Sequence, residues 1–342
     1  MALCPVTGGE SLAGQDEYET LETFFAKIDL SFAERLVKSC FHTHGPGRPP
    51  RSPLGVFRAF IVMRMKGVPS LRALVRLLNV NRRLRRLCLI KRGEGGYPRS
   101  VLSRFTRRVG AEKLNQIIED KVVTLLKKGG AEGVDAVFDA SFIKAWSRRH
   151  PSNNRLGYSD RDAMVGRTGR SYQLGYKLHL SVDWERKLPL AHRVAPANHN
   201  EKRYSTTLLE KTKRILKKAG AKLRRVIADS QYSSQKLRET AETVIPFPAN
   251  QKPGVKGLLR VDKWFRSHGP ERQRREYRKR PAVETVFSFL KTQYNMTVNK
   301  VRGLKNVGVY IRYSLLALTL NREAAEKLDR PDKATSPTYF NT

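Results

Sequence analysis

The chain has 342 residues, of which 39% are hydrophobic, and its 67 lysines and arginines outnumber its 31 aspartates and glutamates. The resulting net charge of +36 excludes a membrane protein and a neutral metabolic enzyme. No stretch approaches the roughly 18 uninterrupted apolar residues of a membrane span, and the first residues lack a secretory pattern. The 3 cysteines are widely spaced, which indicates neither a disulfide framework nor a zinc site. We therefore expect a folded, cytoplasmic protein.

The positive charge is unevenly distributed along the chain. Residues 1–40 carry 3 basic and 7 acidic side chains, residues 41–130 carry 21 and 4, and residues 131–342 carry 43 and 20. An excess over two regions predicts binding to the phosphate backbone of nucleic acid, because each neutralised phosphate releases counterions. The alternatives are a cationic surface that only keeps the chain soluble and one that binds anionic membranes.

The first third of the sequence predicts helices. Residues 16–41 form one amphipathic pattern, and the Gly- and Pro-rich run at 45–53 breaks it. Beyond the break, apolar residues recur at helical spacing between arginines: Leu54, Phe57, Ile61, Met65, Leu71, Leu74, Leu77 and Leu78. We expect a helical segment over 1–44 and a small all-α DNA-binding domain over 45–130.

A basic helix is predicted to begin near Ser100, after a Gly and Pro break. Its apolar face consists of Leu102, Phe105 and Val109. Its arginines lie elsewhere on the helix and are Arg99, Arg104, Arg107 and Arg108. This pattern fits the second helix of a helix-turn-helix, which would place the arginines on DNA. It fits equally well an ordinary bundle helix with a solvated basic face.

From residue 131 the pattern changes to short strands, which then alternate with helices. The predicted strands are 134–141, 172–183, 188–196, 224–229 and 243–247. The predicted helices are 201–219, 233–241, 281–299 and 306–326. Three strands in a meander followed by alternating elements predict a mixed five-stranded α/β sheet flanked by helices over 131–326. Residues 327–342 form the expected C-terminal tail.

Two of these strands are predicted to end in an aspartate. Asp139 lies at the end of the first strand, nearer to it than Asp135, and Asp229 is the last residue of the fourth. Because strand ends form the rim of an open α/β sheet where sites lie, the two carboxylates can converge. Strand-terminal aspartates are also common turn formers, so neither one alone is specific. Asp135 lies on the same strand face as Asp139 and competes with it for the role.

The third feature is a set of four residues whose separations of 3, 4 and 7 positions place them on one helical stripe. They are Tyr277, Arg280, Glu284 and Lys291. Because Pro281 suits a first helical turn, the helix can begin there and leave Tyr277 and Arg280 just ahead of it. Arg280 and Lys291 would then neutralise phosphates, and Tyr277 would hydrogen-bond to DNA or stack on it. The other interpretation is a helix whose Glu284 and Lys291 are solvated.

Three carboxylates on one rim are what a two-metal phosphoryl-transfer site requires. Their hard oxygen ligands suit Mg²⁺, and two such ions about 3.5–4 Å apart assist the attacking and the leaving oxygen of an in-line displacement. We therefore consider Asp139, Asp229 and Glu284 together as candidate metal ligands and catalytic residues.

The four-residue spacing resembles the YREK signature of the DDE class of insertion-sequence transposases from bacteria and archaea. The resemblance extends over most of 131–326 and includes FDAS at 138–141, ADSQY at 228–232 and GYKLHLSVD at 175–183. The basic helices from about 54 to 109 are also similar to the family's N-terminal domain. The resemblance implies an RNase H-like fold and a catalytic triad of Asp139, Asp229 and Glu284.

The resemblance further implies cut-and-paste DNA transposition. In this reaction water cleaves at the element's terminal inverted repeats, and the freed 3′-hydroxyl attacks target DNA, with Mg²⁺ or Mn²⁺ held by the triad. The implied partners are double-stranded DNA and a second copy of the chain, as a homodimer that pairs two ends on the nucleoid of a prokaryotic cell. Two alternatives stay open: an inactive or domesticated DNA-binding protein, and a structure-specific nuclease on the same fold.

The chain departs from the family pattern after its third strand. The family often has an acid there, whereas this chain reads ANHNEK, so that Asn200 or Glu201 stands in its place. The resemblance also favours Asp139 over Asp135, because DAS is the tripeptide similar to the family's.

Overall fold

A computed structural model describes most of the chain. The described residues are 18–41, 51–130, 132–169, 171–246, 271, 274–297 and 300–341. Several parts of the predicted pattern lie outside them, namely residues 1–17 and 42–44 of the expected N-terminal segment, most of the break at 45–53, residue 131, residue 247 of the last predicted strand, residues 298–299 of a predicted helix, and residue 342 of the expected tail. Within the described ranges, no helix combines the length and the apolar composition needed to cross a membrane.

Helices form the N-terminal part of the described chain. They are α1 (Leu21–Lys27), α2 (Ser31–Lys38), α3 (Pro53–Met65), α4 (Leu71–Val80), α5 (Arg82–Leu87) and α6 (Arg99–Lys128). The prediction of a single helix over 16–41 is wrong. Asp29 Oδ1 accepts hydrogen bonds from the backbone N and the Oγ of Ser31, which turns the chain and begins α2.

The apolar face predicted for α6 is buried. It consists of Leu102, Phe105 and Val109. Gly110, with a φ of 66°, kinks the helix before it continues to Lys128. Residues 88–98 separate α6 from α5, whereas a helix-turn-helix has a turn of about 3–4 residues. Of the two interpretations of this segment, the structure therefore supports the bundle helix with a basic solvated face.

A mixed sheet occupies the middle of the chain. Its strands are β1 (Gly133–Lys144), β2 (Met164–Thr168), β3 (Ser171–Asp183), β4 (Pro189–Pro196), β5 (Lys222–Ala228) and β6 (Thr243–Val244). The order is β4-β3-β1-β5-β6, with β2 beside β4 on the same edge of β3. Strand β3 is antiparallel to both of its long neighbours, β1 and β4, whereas β5 and β6 run parallel to β1. This is the RNase H-like arrangement that the resemblance implies.

All five predicted strands are present, with two corrections. The short β2 was not predicted, since its sequence MVGRT has no regular alternation of apolar and polar residues. β1 runs past Asp139 to Lys144, so the prediction that this aspartate closes its strand is wrong. The antiparallel partner β3 extends β1, because Lys144 still pairs with Gly175.

Further helices with defined bounds follow the first strands in the described chain. They are α7 (Lys202–Ala219), α8 (Gln235–Thr240), α9 (Pro281–Thr292) and α10 (Leu304–Glu326). α7 covers one face of the sheet, where Thr212 donates a hydrogen bond to Ser181 Oγ at 2.8 Å. The predicted helix over 281–299 ends early at Thr292, because Asn295 adopts a left-handed φ of 51° that turns the chain.

The chain's C-terminal elements pack against its N-terminal helices. Tyr313 of α10 stacks on Phe60 of α3, with ring centroids 4.6 Å apart. The predicted tail at 327–342 is also packed, since Phe340 is fully buried and meets Phe24 of α1 at 5.3 Å. The N-terminal helices, the sheet and α10 therefore share one hydrophobic core.

Gly55 marks a tight contact between α3 and the loop before α6. A Cβ at this position would lie 2.2 Å from Tyr97 Oη and 2.3 Å from Cys88 O. We expect Gly55→Ala to lower the free energy of unfolding by about 1–3 kcal/mol, because the backbone must shift to admit the methyl group. Gly95→Ala is the control, since its Cβ would approach only Asn79 Oδ1, at 4.0 Å. Equal denaturation midpoints for the two variants would contradict this packing.

Candidate active site

Two neighbouring strands bring Asp139 and Asp229 together. In the parallel pair of β1 and β5, Phe138 lies opposite Ala228. Asp139 directly follows Phe138, and Asp229 directly follows Ala228. Because β5 ends at Ala228, Asp229 begins a short 3-10 turn, in which its Oδ1 accepts a hydrogen bond from Gln231 N at 3.0 Å. The two carboxylates are thus juxtaposed although far apart in sequence.

Asp139 points to the face of the sheet opposite α7. In the antiparallel ladder it lies opposite Leu180, whereas the adjacent Ser181 bonds to α7. Since paired residues share a face and successive residues alternate, Asp139 faces away from α7. α9 packs on that side of β1 and buries Val283 and Val286 there.

Arg280 lies between two of the candidate acids. Its Nη2 is 3.6 Å from Asp139 Oδ2, and its Nη1 is 2.8 Å from Glu284 Oε1. α9 begins at Pro281 as predicted, so Arg280 precedes the helix and Glu284 lies in its first turn, where the helix dipole favours a carboxylate. One guanidinium thus partly neutralises a buried carboxylate and an exposed one, whose side chains are 16% and 52% exposed.

The electrostatics of the two aspartates reflect burial and crowding. Burial raises the pKa of Asp139 to about 6, and the negative charges of Asp229 and Glu284 add to this, while Ala140 N–H and Arg280 oppose it. Burial also raises the pKa of Asp229, against the opposing effects of a backbone N–H and Arg280. Both carboxylates are therefore poor in counter-charge, which is typical of a functional site.

The remaining residues of the predicted stripe lie close enough to feel these acids. Burial lowers the pKa of Lys291, and the charge of Asp139 opposes that shift. Burial raises the pKa of Tyr277, which Arg280 opposes and Asp229 increases. The structure therefore brings Tyr277 and Lys291 into the electrostatic neighbourhood of the three acids.

A further carboxylate borders the site. Glu201, at the start of α7, is buried, and its Oε1 accepts a hydrogen bond from Lys177 Nζ at 2.6 Å. Its charge contributes to the raised pKa of Asp229. Glu201 is one of the two residues that stand in for the family's acid after the third strand, and Lys177 is a partner that the sequence did not reveal.

Asp135, the alternative candidate to Asp139, has both carboxylate oxygens paired with cationic side chains. It is completely buried, and Arg224 donates to both of its oxygens, at 2.8 and 2.7 Å. Lys279 Nζ donates to Oδ2 at 2.6 Å and also lies 4.8 Å from the centre of the Trp184 ring. Burial would raise the pKa of Asp135, but these hydrogen bonds outweigh it and lower the pKa. Sequence reasoning missed this clamp, whose signal is the basic run at 278–280.

The arginines predicted to bind DNA on α6 form a separate group. They are Arg99, Arg104, Arg107 and Arg108, and all four are exposed. Within the described chain none of them makes an ion pair, and Arg108 lies over the ring of Phe41 at 5.1 Å. They remain a candidate DNA-binding surface outside the carboxylate cluster.

The carboxylate cluster has the donor chemistry of a site for a hard divalent cation. Asp139, Asp229 and Glu284 offer the oxygens that Mg²⁺ and Mn²⁺ prefer. A bound cation would also stabilise the ionised form of Asp139, against the burial and the neighbouring negative charges that raise its pKa. In the part of the chain that is described, no three ligating side chains converge at metal-binding distance, and the guanidinium of Arg280 lies between Asp139 and Glu284. The residues fit such an ion in kind.

Two family models match the chain. The Transposase DDE domain matches residues 131–320, which include the sheet and all three acids. The Transposase domain (DUF772) matches residues 11–108, which include α1 to α5 and the first part of α6. No curated protein matches the chain.

Solved structures of transposases are distantly similar. The piggyBac transposase synaptic complex with hairpin DNA is 11% identical with a TM-score of 0.45, over 94% of this chain and 79% of that one. The Mos1 transposase paired-end complex with the left transposon end is 12% identical with a TM-score of 0.21, over 71% of this chain and 82% of that one. The assignment depends on the family models instead: since the first of them covers more than half of the sequence, the chain belongs to the DDE transposase family.

Proposed function

We propose that the chain carries out cut-and-paste transposition of an insertion sequence. The observation that carries this proposal is the cluster of carboxylates around Arg280 within a transposase DDE domain. In the proposed reaction, water cleaves a phosphodiester at each terminal inverted repeat. The freed 3′-hydroxyl then attacks a phosphodiester of the target DNA and releases the 3′-oxygen of the broken strand.

Asp139, Asp229 and Glu284 are the proposed metal ligands. The donor set supports two Mg²⁺ ions, with Mn²⁺ as a substitute, because all three groups are carboxylates. The pKa values of Asp139 and Asp229 are raised, so a cation would favour their ionised forms, and Glu284 is exposed. Ions bound there would supply Lewis-acid activation of the attacking oxygen and stabilisation of the leaving one. The chain's own contribution is to hold the two aspartates side by side, Asp139 within β1 and Asp229 directly after the neighbouring β5.

The basic residues around the acids are proposed to receive the DNA backbone. Arg280, already 2.8 Å from Glu284, and the half-buried Lys291 would neutralise phosphate oxygens around the scissile bond. Tyr277 would hydrogen-bond to the strand or stack on a base. These cations allow a polyanion to approach an edge that already carries several negative charges.

Double-stranded DNA, as inverted repeats and as target, is the proposed partner. The exposed arginines of α6 support an additional contact, because they have no carboxylate partner within the described chain. A homodimer is proposed because two ends must be paired before insertion. Such a protein would act on the nucleoid of a prokaryotic cell.

Loss of any one proposed ligand should abolish DNA cleavage. We expect Asp139→Asn, Asp229→Asn and Glu284→Gln each to lower the cleavage rate by at least about 100-fold, because an amide replaces an anionic ligand. The measurement is Mg²⁺-dependent nicking of a plasmid that carries the inverted repeats flanking the coding sequence. The control is Glu210→Gln, since Glu210 is exposed on α7. Cleavage by the three variants at the control's rate would refute the site.

The raised pKa of Asp139 predicts a pH-dependent stability. Because this pKa is about 6, the folded state retains a proton that the unfolded state loses between about pH 4 and pH 6. In a chelating buffer, the stability from this group is thus present below pH 4 and lost as the pH rises through 6. Asp139→Asn removes the titration, so the variant should gain about 2–3 kcal/mol relative to wild type between pH 4 and pH 7. Urea denaturation measures the difference, and a pH-independent difference would contradict it.

A further inference from the structure

A cavity of about 280 Å³ lies where α4, α6 and α10 meet. The lining residues that bear on its chemistry are Ser70, Leu71, Arg72, Arg99, Lys300 and Tyr310. Three of these are cations, and no carboxylate belongs to the described lining. The cavity therefore combines residues of the N-terminal helices with residues just before and within α10, and its charge favours an anion.

The three cations have no acidic partner. Arg72, Arg99 and Lys300 make no ion pair or hydrogen bond with the described residues, although Lys300 Nζ lies 5.4 Å from the centre of the Trp146 ring. Three like charges around one cavity repel each other, so an anion bound among them would be stabilised.

The N-terminus of α4 opens on the same cavity. Ser70 caps this ten-residue helix by accepting from Ala73 N at 3.2 Å. The backbone N–H groups of Leu71 and Arg72 have no acceptor within the described chain. Free N–H groups and the positive end of the helix dipole are suited to a phosphate oxygen.

Tyr310 supplies an independent indication of a ligand. Its side chain is only 6% exposed, it lines the cavity, and its hydroxyl has no hydrogen-bond partner among the described residues. Burial raises its pKa to about 12, while the charges of Arg64 and Arg99 oppose the shift, so the hydroxyl stays protonated and can donate. The hydroxyl therefore has no acceptor in the described chain, and a ligand oxygen in the cavity would accept its hydrogen bond.

Two hydrogen bonds fix the loop that carries Lys300. Gly303 N donates to Asp160 Oδ1 at 3.1 Å, and Leu304 N donates to Asp162 Oδ2 at 2.9 Å. Asp160 is in turn held by the hydroxyl of Tyr176 on β3, at 2.6 Å. The cavity is therefore tied both to the N-terminal helices and to the catalytic sheet.

A second cavity, between α6, β4 and α7, has a different character. Its lining contains two carboxylates, of which Glu119 forms ion pairs with Arg214 and Lys218, while Lys211 donates to His192 O at 3.2 Å. Unlike this second cavity, the first combines unpaired cations, a free helix N-terminus and an unpartnered hydroxyl among the described residues.

We propose that the first cavity binds one phosphate group of the DNA backbone, held by Arg72, Arg99 and Lys300 together with the α4 N-terminus and the Tyr310 hydroxyl. This inference rests on the proposed function, since it takes duplex DNA as the partner. A phosphate held there would fix the DNA with respect to both the N-terminal helices and the catalytic sheet. The site adds Arg72, Lys300 and Tyr310 to the residues that contact DNA.

The first test removes charge from the cavity. Arg72→Ala combined with Lys300→Ala is compared with Arg76→Ala combined with Lys305→Ala. The control residues are exposed and lie outside the cavity, Arg76 on α4 and Lys305 in the first turn of α10, which follows the loop of Lys300. The affinity for a short fluorescent DNA duplex is measured by anisotropy over a range of salt concentrations. The cavity variant should bind at least about tenfold more weakly than the control, with a salt slope smaller by about 0.9 for one lost phosphate.

The second test removes only a hydroxyl. Tyr310→Phe should fold with unchanged or slightly higher stability, because the lost group has no partner. It should nevertheless weaken duplex binding by about threefold or more, since one donor to a phosphate is lost. Unchanged duplex affinity in Tyr310→Phe would overturn the assignment of this hydroxyl to a phosphate, whether or not the stability changes.

The outcomes separate this site from the proposed function. If wild type binds and cleaves DNA while the cavity variant matches its control, the phosphate site is refuted and the proposed function stands. If wild type binds no duplex at any salt concentration, both fail.

Titrations with inorganic phosphate and with ATP complete the test. Binding of either that depends on Arg72 and Lys300, with duplex binding unchanged, would identify a site for free anions and overturn the DNA assignment.

Discussion

The candidate site depends on one electrostatic constraint: a partly buried sheet edge concentrates negative charge where a polyanion must approach. Asp139 and Asp229 lie side by side because β1 and β5 pair in parallel, and Glu284 adds its charge from α9. Burial and this repulsion raise the pKa of Asp139 to about 6. Arg280 offsets part of the charge, and the proposed metal ions would offset the rest. The chain's net charge of +36 then serves the approach of DNA.

The local part of this arrangement was predictable from the sequence. The spacing of Tyr277, Arg280 and Glu284 depends only on helical periodicity, and Pro281 correctly predicted the start of α9. The hydrophobic alternation also predicted the five principal strands, because the period of side chains along a strand is a local property. Asp139 was preferred over Asp135 on two grounds, the tripeptide DAS that is similar to the family's and its position nearer the end of the predicted strand.

Features that depend on distant partners were not predictable. The clamp on Asp135 requires Arg224 and Lys279, which approach it only after β5 and α9 have packed against β1. The burial of Phe340 at the expected tail depends on Phe24, near the other end of the chain. The cavity lined by Arg72 and Tyr310 likewise forms from segments that are far apart in sequence. Such contacts are set by tertiary packing, which overrides local pattern.

The central claim, that the three carboxylates hold divalent metal, is tested most directly by anomalous scattering. Crystals of the protein grown with Mn²⁺ would be measured at the manganese absorption edge, and the anomalous difference density located against the protein. The account predicts density within ligating distance of Asp139 and Asp229, at the edge of the sheet where Glu284 also lies. Ordered Mn²⁺ found only elsewhere on the protein, with none at these carboxylates, would contradict it.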